Sequence, residues 1–362
     1  MKILHVITSL RTGGAEHLLV DLLPRLRDYG YEISLLLFDG TRTPFYEQLE
    51  KASISIYSMG KGVQAMHNPL LVFKLRKYLV QYDIIHTHNT PCQLLAAIVQ
   101  PTGRTLLVTT EHNTTNRRRL WRWYRKIDCW MYGKYQRIIC VSKEAESNLM
   151  QFFQGRSFIE KVCTIYNGID VNKYIDAKQD GGLQKRYAGC KLVVMVAAFR
   201  PQKDQPTLIK AMKKLPEGYH LLLAGDGPCR KDCEELSEKL KLKERVHFLG
   251  ICSNVPSLLS TADVIVLSSH YEGLSLSSIE GMASGKPFIA SNVDGLREIV
   301  GGAGLLFPHG DSSELAQLIK EVCGDKLLYQ QIAERCRQKS MQYDISHTVK
   351  EYARVYEEIG RE

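Results

Sequence analysis

The sequence has no apolar run near the ~18 residues that a bilayer-spanning helix needs, and its longest runs are strand-sized. Its first residues, Met-Lys-Ile-Leu-His-Val-Ile, lack the apolar core and cleavage site of a secretory signal. The ten cysteines are scattered and form no CxxC pairs, which argues against a zinc module or disulfide framework and for a reduced, cytoplasmic protein. The first strand-to-helix junction has no Gly-x-Gly-x-x-Gly, which counts against a dinucleotide oxidoreductase. No Asp-x-Asp pair, a common arrangement for holding a divalent metal, occurs anywhere.

What is present is ordinary globular material, 44% hydrophobic and 24% charged, in a chain of 362 residues that suits two domains. Charge is divided unevenly. Residues 1–175 carry 23 Lys and Arg against 14 Asp and Glu, whereas residues 176–362 carry 25 of each. The excess positive charge therefore lies in the N-terminal half and points to an anionic partner for that half.

Strands and helices alternate. Lys2–Ile7, Glu32–Phe38, Ile54–Tyr57, Asp83–His86, Thr105–Thr110 and Arg137–Val141 read as strands, and Ala15–Arg27 as a helix with its stripe at Leu18, Leu19, Leu22, Leu23 and Leu26. A polar stretch, Ala177–Gly182, reads as a linker. A second alternating run follows, with strands at Leu192–Ala197, His220–Ala224, Val246–Leu249, Val264–Leu267, Phe288–Ala290 and Leu305–Phe307. The fold class expected is α/β, two Rossmann-like doubly wound domains, with ligands beyond the C-terminal ends of the strands.

The most informative stretch is His270–Pro287. It follows the apolar strand Val264–Leu267; Glu272-Gly273 makes a turn, and Ser275 or Ser277 can cap a helix ending near Gly285. The amides of Gly273, Leu274 and Ser275 would then form a phosphate cradle at a helix start, flanked by Glu272 and Glu280. Such an arrangement suits a ligand with hydroxyls at both ends and phosphates between them, as in a nucleotide sugar. Ser277-x-x-Glu280 is also a capping box, in which Glu280 would only bond back to Ser277.

The string Glu272-Gly-x6-Glu280-Gly-Met-Ala-x-Gly-x-Pro287 resembles the E-x7-E signature of retaining glycosyltransferases of the GT-B fold, sequence family 4. Further likenesses are Gly13-Gly14-Ala15-Glu16, Asn167-Gly-Ile-Asp170 and Ala224-Gly-Asp-Gly-Pro228. The resemblance implies an acceptor-binding domain at 1–175, a nucleotide-sugar domain at 176–344, and a C-terminal helix, 345–362, crossing back to the first domain. It implies that the loop with Gly14 faces the cleft and that His112, at a strand end, lies beside the reacting sugar. Glu272 would hold the sugar hydroxyls and Glu280 the ribose diol. Lys203 of Pro201-Gln-Lys203 keeps its family place, but Ala198 stands where an arginine is expected, and whether Arg200 replaces it is open. The pair His86-x-His88 could be a metal pair, but no third ligand is identifiable, and His86 is expected to be packed.

Arg117–Lys126 holds six basic and three aromatic residues in ten, without an acid. Arg117, Arg118, Arg119, Trp121, Arg122 and Trp123 suit an acceptor or an anionic membrane surface, or form a solvated basic face; no nucleic-acid motif accompanies them. The reading is a cytoplasmic enzyme, peripheral at the inner face of a membrane. It would move a sugar, with retention, from a nucleotide diphosphate-sugar donor to a glycan or lipid-linked acceptor in bacterial cell-surface polysaccharide synthesis, using no cofactor or metal. A GT-B-like nucleotide-sugar epimerase and a noncatalytic nucleotide-sugar-binding protein are the alternatives.

Overall fold

The computed structural model describes residues 1–11, 13–62, 71–99, 105–112, 123–153 and 157–361. The chain divides into two units, one of residues Met1–Gly168 with Ile345–Glu362, the other Ile169–Asp344.

The first unit is built on a seven-stranded sheet of β1 (Lys2–Ile7), β2 (Glu32–Leu37), β3 (Ser55–Ser58), β4 (Ile84–Thr87), β5 (Leu106–Glu111), β6 (Arg137–Cys140) and β7 (Val162–Thr164). The spatial order is β3-β2-β1-β4-β5-β6-β7, and every pairing is parallel. Side chains alternate across β1. Ile3 and Ile7 join one core with Leu35 and Leu37, while Leu4 and Val6 join the other with Leu36 and Phe38. Both faces are thus covered, which is why the strands read as continuous apolar runs. The first helix, Gly14–Asp28, buries the five leucines of its stripe. The C-terminal helix, Ile345–Arg361, lays Ile345, Val349, Tyr352, Tyr356 and Ile359 on the same core, at helical spacing. The short edge strand β7 was not anticipated; three half-buried residues carry too little pattern to read.

The second unit holds a six-stranded sheet of β8 (Lys191–Val196), β9 (Tyr219–Ala224), β10 (Val246–Gly250), β11 (Val264–Leu267), β12 (Phe288–Ser291) and β13 (Leu305–Phe307). Its order is β10-β9-β8-β11-β12-β13, again parallel throughout. Strand order reverses between β8 and β11, and in such sheets ligands bind beyond the strand ends at the reversal.

Two local expectations are corrected. Ala177–Gly182 is not a free linker: Ser260 Oγ donates to Ala177 O (2.9 Å), Gln179 Nε2 to Ser260 O (3.0 Å) and Asp180 N to Thr261 Oγ1 (2.7 Å). Asp180 then caps a short helix at Gly181–Arg186. The helix Leu276–Ala283 starts at Ser275, so Ser277 lies inside the first turn and the Ser277–Glu280 capping box is not formed at the N-cap.

Candidate functional site

In the second unit the candidate residues gather beyond β8 and β11, the strands flanking the reversal. After β8 the chain makes a short 3-10 turn, Pro201–Lys203, and Asp204 adopts a left-handed conformation (φ 46°). Asp204 caps the next helix, accepting from Thr207 N (3.3 Å) and Thr207 Oγ1 (2.6 Å). Several bonds tie this turn to the loop after β11: His270 N donates to Gln202 O (2.7 Å), Gln202 Nε2 to Tyr271 O (2.9 Å) and Ser268 Oγ to Asp204 O (2.8 Å). The juxtaposition brings Lys203 onto Glu272. Lys203 Nζ lies 2.5 Å from Glu272 Oε1, with side chains 17% and 7% exposed, and Ser269 Oγ donates to the same oxygen at 2.5 Å. A carboxylate so buried is stable only because it is paired and hydrogen-bonded.

The amides of Gly273, Leu274 and Ser275 donate to no protein group among the described residues, and Ser275 has no side-chain cap bond. They therefore remain as donors at a helix start, where the dipole favours an anion. Glu280 is buried inside that helix. Arg200 is exposed, and its side chain has no hydrogen bond or ion pair among the described residues.

A glycine that motif reading missed shapes this loop. A Cβ on Gly295 would come 2.2 Å from Glu272 O and 2.3 Å from Gly273 O, so the helix Asp294–Val300 can press on the loop only because that position has no side chain. Gly225 and Gly227 have positive φ, and a Cβ there would likewise strike backbone, at Ala197 O and Phe199 O. The Ala224–Pro228 turn is thereby seated against the segment leading to Arg200. Asp204, His270 and His309 lie close together; His270 Nδ1 bonds His309 Nε2 and is 3.8 Å from Asp204 Oδ2.

In the first unit the reversal falls between β1 and β4. Gly13 is the extended N-cap of the first helix and Gly14 its first residue; a Cβ on Gly13 would meet the Glu16 carboxylate at 2.3 Å, whereas the space at Gly14 is open. Arg11 Nη2 reaches buried Asp39 (3.2 Å). Burial would raise the Asp39 pKa, but hydrogen bonds from Thr41 and Gly62, with Arg11, hold it below the usual carboxylate value.

Four imidazoles converge here. His86 is fully buried, with Nδ1 2.6 Å from Tyr356 Oη and Nε2 2.7 Å from Thr110 Oγ1. His5 Nδ1 is 2.9 Å from His88 Nε2, and His88 Nδ1 is 3.1 Å from His112 Nε2. Burial lowers the pKa of His5 to about 3 and of His112 to about 4, and holds His86 and His88 well below the usual value. All four are neutral at pH 7. The third imidazole beside His86 and His88, absent from the motif reading, is His5, which the β1–β4 register sets opposite His86. Rings stacked within 10–19° turn their in-plane nitrogens to these hydrogen bonds rather than to one shared point. Glu111 is also buried, its Oε1 accepting from Gln93 Nε2 and Tyr132 Oη, both at 2.5 Å.

Trp123 is 59% exposed and packs on Tyr124 (ring centroids 4.4 Å apart). Arg117, Arg118, Arg119, Trp121 and Arg122 lie outside the described residues.

Comparison with known proteins places this geometry. Residues 184–339 match the family described as Glycosyl transferases group 1, and residues 12–173 match Glycosyltransferase Family 4. The putative glycosyltransferase EpsD of Bacillus subtilis is 27% identical over 91% of this chain and 90% of its own. An Escherichia coli UDP-Gal:alpha-D-GlcNAc-diphosphoundecaprenol alpha-1,3-galactosyltransferase is 25% identical over 94% and 92%. Among solved structures, Anabaena HepE in complex with UDP-glucose superposes with a TM-score of 0.86, at 25% identity, over 99% of this chain and 100% of that one. Two parallel sheets with paired acidic and basic groups at their reversals, and family matches that between them span most of the chain, lead to one conclusion: the protein belongs to the group 1 (family 4) glycosyltransferases and has the GT-B fold.

Proposed function

We propose that the enzyme transfers a hexose from a nucleoside diphosphate-sugar, a uridine nucleotide by likeness to the HepE complex, to a hydroxyl of a lipid-linked glycan in polysaccharide synthesis. The observation that carries the donor half is the Lys203–Glu272 pair beside the amides of 273–275, which have no partner among the described residues. As the sugar–phosphate bond breaks, negative charge grows on the departing diphosphate; fixed N–H donors and Lys203 would stabilise it, in place of a metal ion. Glu272 would hold sugar hydroxyls, Glu280 the ribose diol, and His112 is assigned to the reacting sugar. Retention is part of the proposal, with the acceptor attacking the face from which the diphosphate leaves and a diphosphate oxygen taking the acceptor proton. We further propose that transfer takes place at the inner face of the membrane, where a lipid-linked acceptor is presented.

The test is incubation with a panel of nucleotide sugars, with and without undecaprenyl-diphosphate-linked saccharides, following nucleoside diphosphate release and product anomeric configuration by NMR. Acceptor-dependent release with an unchanged anomer is expected. Interconversion of donor sugars without release would favour an epimerase, and tight donor binding without turnover would favour a noncatalytic binding protein.

A further inference from the structure

Proton counting leaves the three linked imidazoles of the first unit only two arrangements. His5, His88 and His112 form a line of two hydrogen bonds, His5 Nδ1 to His88 Nε2 (2.9 Å) and His88 Nδ1 to His112 Nε2 (3.1 Å). Three neutral imidazoles own three N–H protons, and two of them lie in these bonds. Because each ring is a donor at one nitrogen and an acceptor at the other, the bonds must run in the same direction along the line. The third N–H then falls at one end, on His5 Nε2 or on His112 Nδ1, and the other end is left with a bare lone pair. Both end atoms are buried and have no hydrogen-bond partner among the described residues.

The ends differ in surroundings. His5 is 0% exposed at the centre of the sheet, with the His86 and His88 rings beside it at centroid distances of 5.0 and 5.1 Å. An N–H there would have nothing to donate to, and orphaned buried N–H groups are rarer than unfilled acceptors. His112 is half-buried, at the C-terminal end of β5; its Nδ1 is itself buried, but it lies at the strand end, where ligands of such sheets bind, so an N–H there is the one a ligand can satisfy. His86 cannot relieve His5, since its own nitrogens are taken by Tyr356 and Thr110.

We infer that His5 and His88 are positioning residues that hold His112 as the Nδ1–H tautomer, so that it presents a hydrogen-bond donor and never a free lone pair. The protons run His5 Nδ1–H to His88 Nε2 and His88 Nδ1–H to His112 Nε2, leaving His112 Nδ1–H outermost. The ligand atom it meets must be an oxygen acceptor, as a sugar hydroxyl is. His112 is thereby disqualified as the base that takes the acceptor proton, because its outward nitrogen already carries one. That consequence for turnover rests on the transferase reading; the tautomer itself does not.

Long-range proton–nitrogen correlation spectra of the ¹⁵N-histidine protein at neutral pH distinguish the two tautomers, and His112→Gln identifies the signal by its loss. The expected wild-type pattern is a protonated Nδ1 and bare Nε2 at His112; a protonated Nε2 overturns the inference whether or not any substrate is turned over. Two variants test the consequence. His88→Asn places an amide N–H where Nδ1–H stood, whereas His88→Leu offers none. His88→Leu should lower kcat about 10–100-fold with donor KM little changed, and should release His112 from the Nδ1–H form. His88→Asn should restore most of the rate and keep that tautomer. Equal loss in both variants, with unchanged circular dichroism and melting, would show that His88 only fills space and would overturn its positioning role.

Discussion

Replacement of Glu272 by Gln separates the two ends of the proposed donor site. The carboxylate accepts from Lys203 Nζ and Ser269 Oγ, both at 2.5 Å, in a place where neither Glu272 nor Lys203 is well exposed. Gln keeps the shape and one acceptor oxygen but removes the charge. Three effects follow. Loss of a charge-assisted bond costs about 1.5–3 kcal/mol, so the second unit should melt roughly 3–12 °C lower at about 2–4 °C per kcal/mol. Lys203, no longer committed to Glu272, is freed for phosphate. Nucleoside diphosphate affinity should therefore hold or rise, by no more than about tenfold, or ~1.4 kcal/mol. Turnover should fall at least about 100-fold, equivalent to ~3 kcal/mol of transition-state stabilisation, because the sugar hydroxyls lose their charged partner. Isothermal titration with UDP, calorimetric melting and a coupled diphosphate-release assay measure the three quantities. Turnover within about threefold of wild type, or UDP binding weakened more than tenfold (~1.4 kcal/mol), would refute the division of labour between Glu272 and Lys203.

Glu280→Ala should weaken UDP binding by about 1–3 kcal/mol, and calorimetry showing normal binding would remove Glu280 from the nucleotide site. Lys203→Ala should lower turnover severely, whereas Arg200→Ala, exposed and unpaired among the described residues, should leave it nearly unchanged; comparable losses in steady-state assays would give Arg200 the place that Ala198 leaves empty. Activity should survive excess EDTA, and a complete loss reversed by Mg²⁺ would overturn the assignment of the diphosphate to Lys203 and the helix amides. Wild-type protein should co-sediment with anionic liposomes at low salt and not at high salt, and an Arg117/Arg118/Arg119→Ser variant should sediment less, since each basic residue near such a surface is worth about 1 kcal/mol; equal sedimentation of both would leave that segment a solvated face.

Local sequence was enough for much of this protein. Continuous apolar runs disclosed the strands and the 3.6-residue stripe the helices, because burial on both sheet faces or along a helix stripe is written into neighbouring residues. The leucine stripe of the first helix and the strand–turn–helix around Glu272–Glu280 were legible for the same reason. The amides at 273–275 have no partner among the described residues, but only Ser275, the N-cap, belongs to the unpaired start that helix geometry dictates.

Other features needed the assembled sheets. Lys203 meets Glu272 across 69 residues only because β8 and β11 are neighbours at the strand-order reversal. His5 joins His88 across 83 residues because β1 lies beside β4. The Tyr356–His86 bond, spanning 270 residues, depends on the last helix lying on the first sheet. Ser277 lost the cap to Ser275, and the polar stretch at 177–182 is held by Ser260 and Thr261, because tertiary contacts chose among local options of similar energy. Periodicity reports which face of an element is buried. Which two elements share that burial, and so which side chains meet at their ends, is decided by chain topology, and the candidate chemistry of this enzyme lies at those meetings.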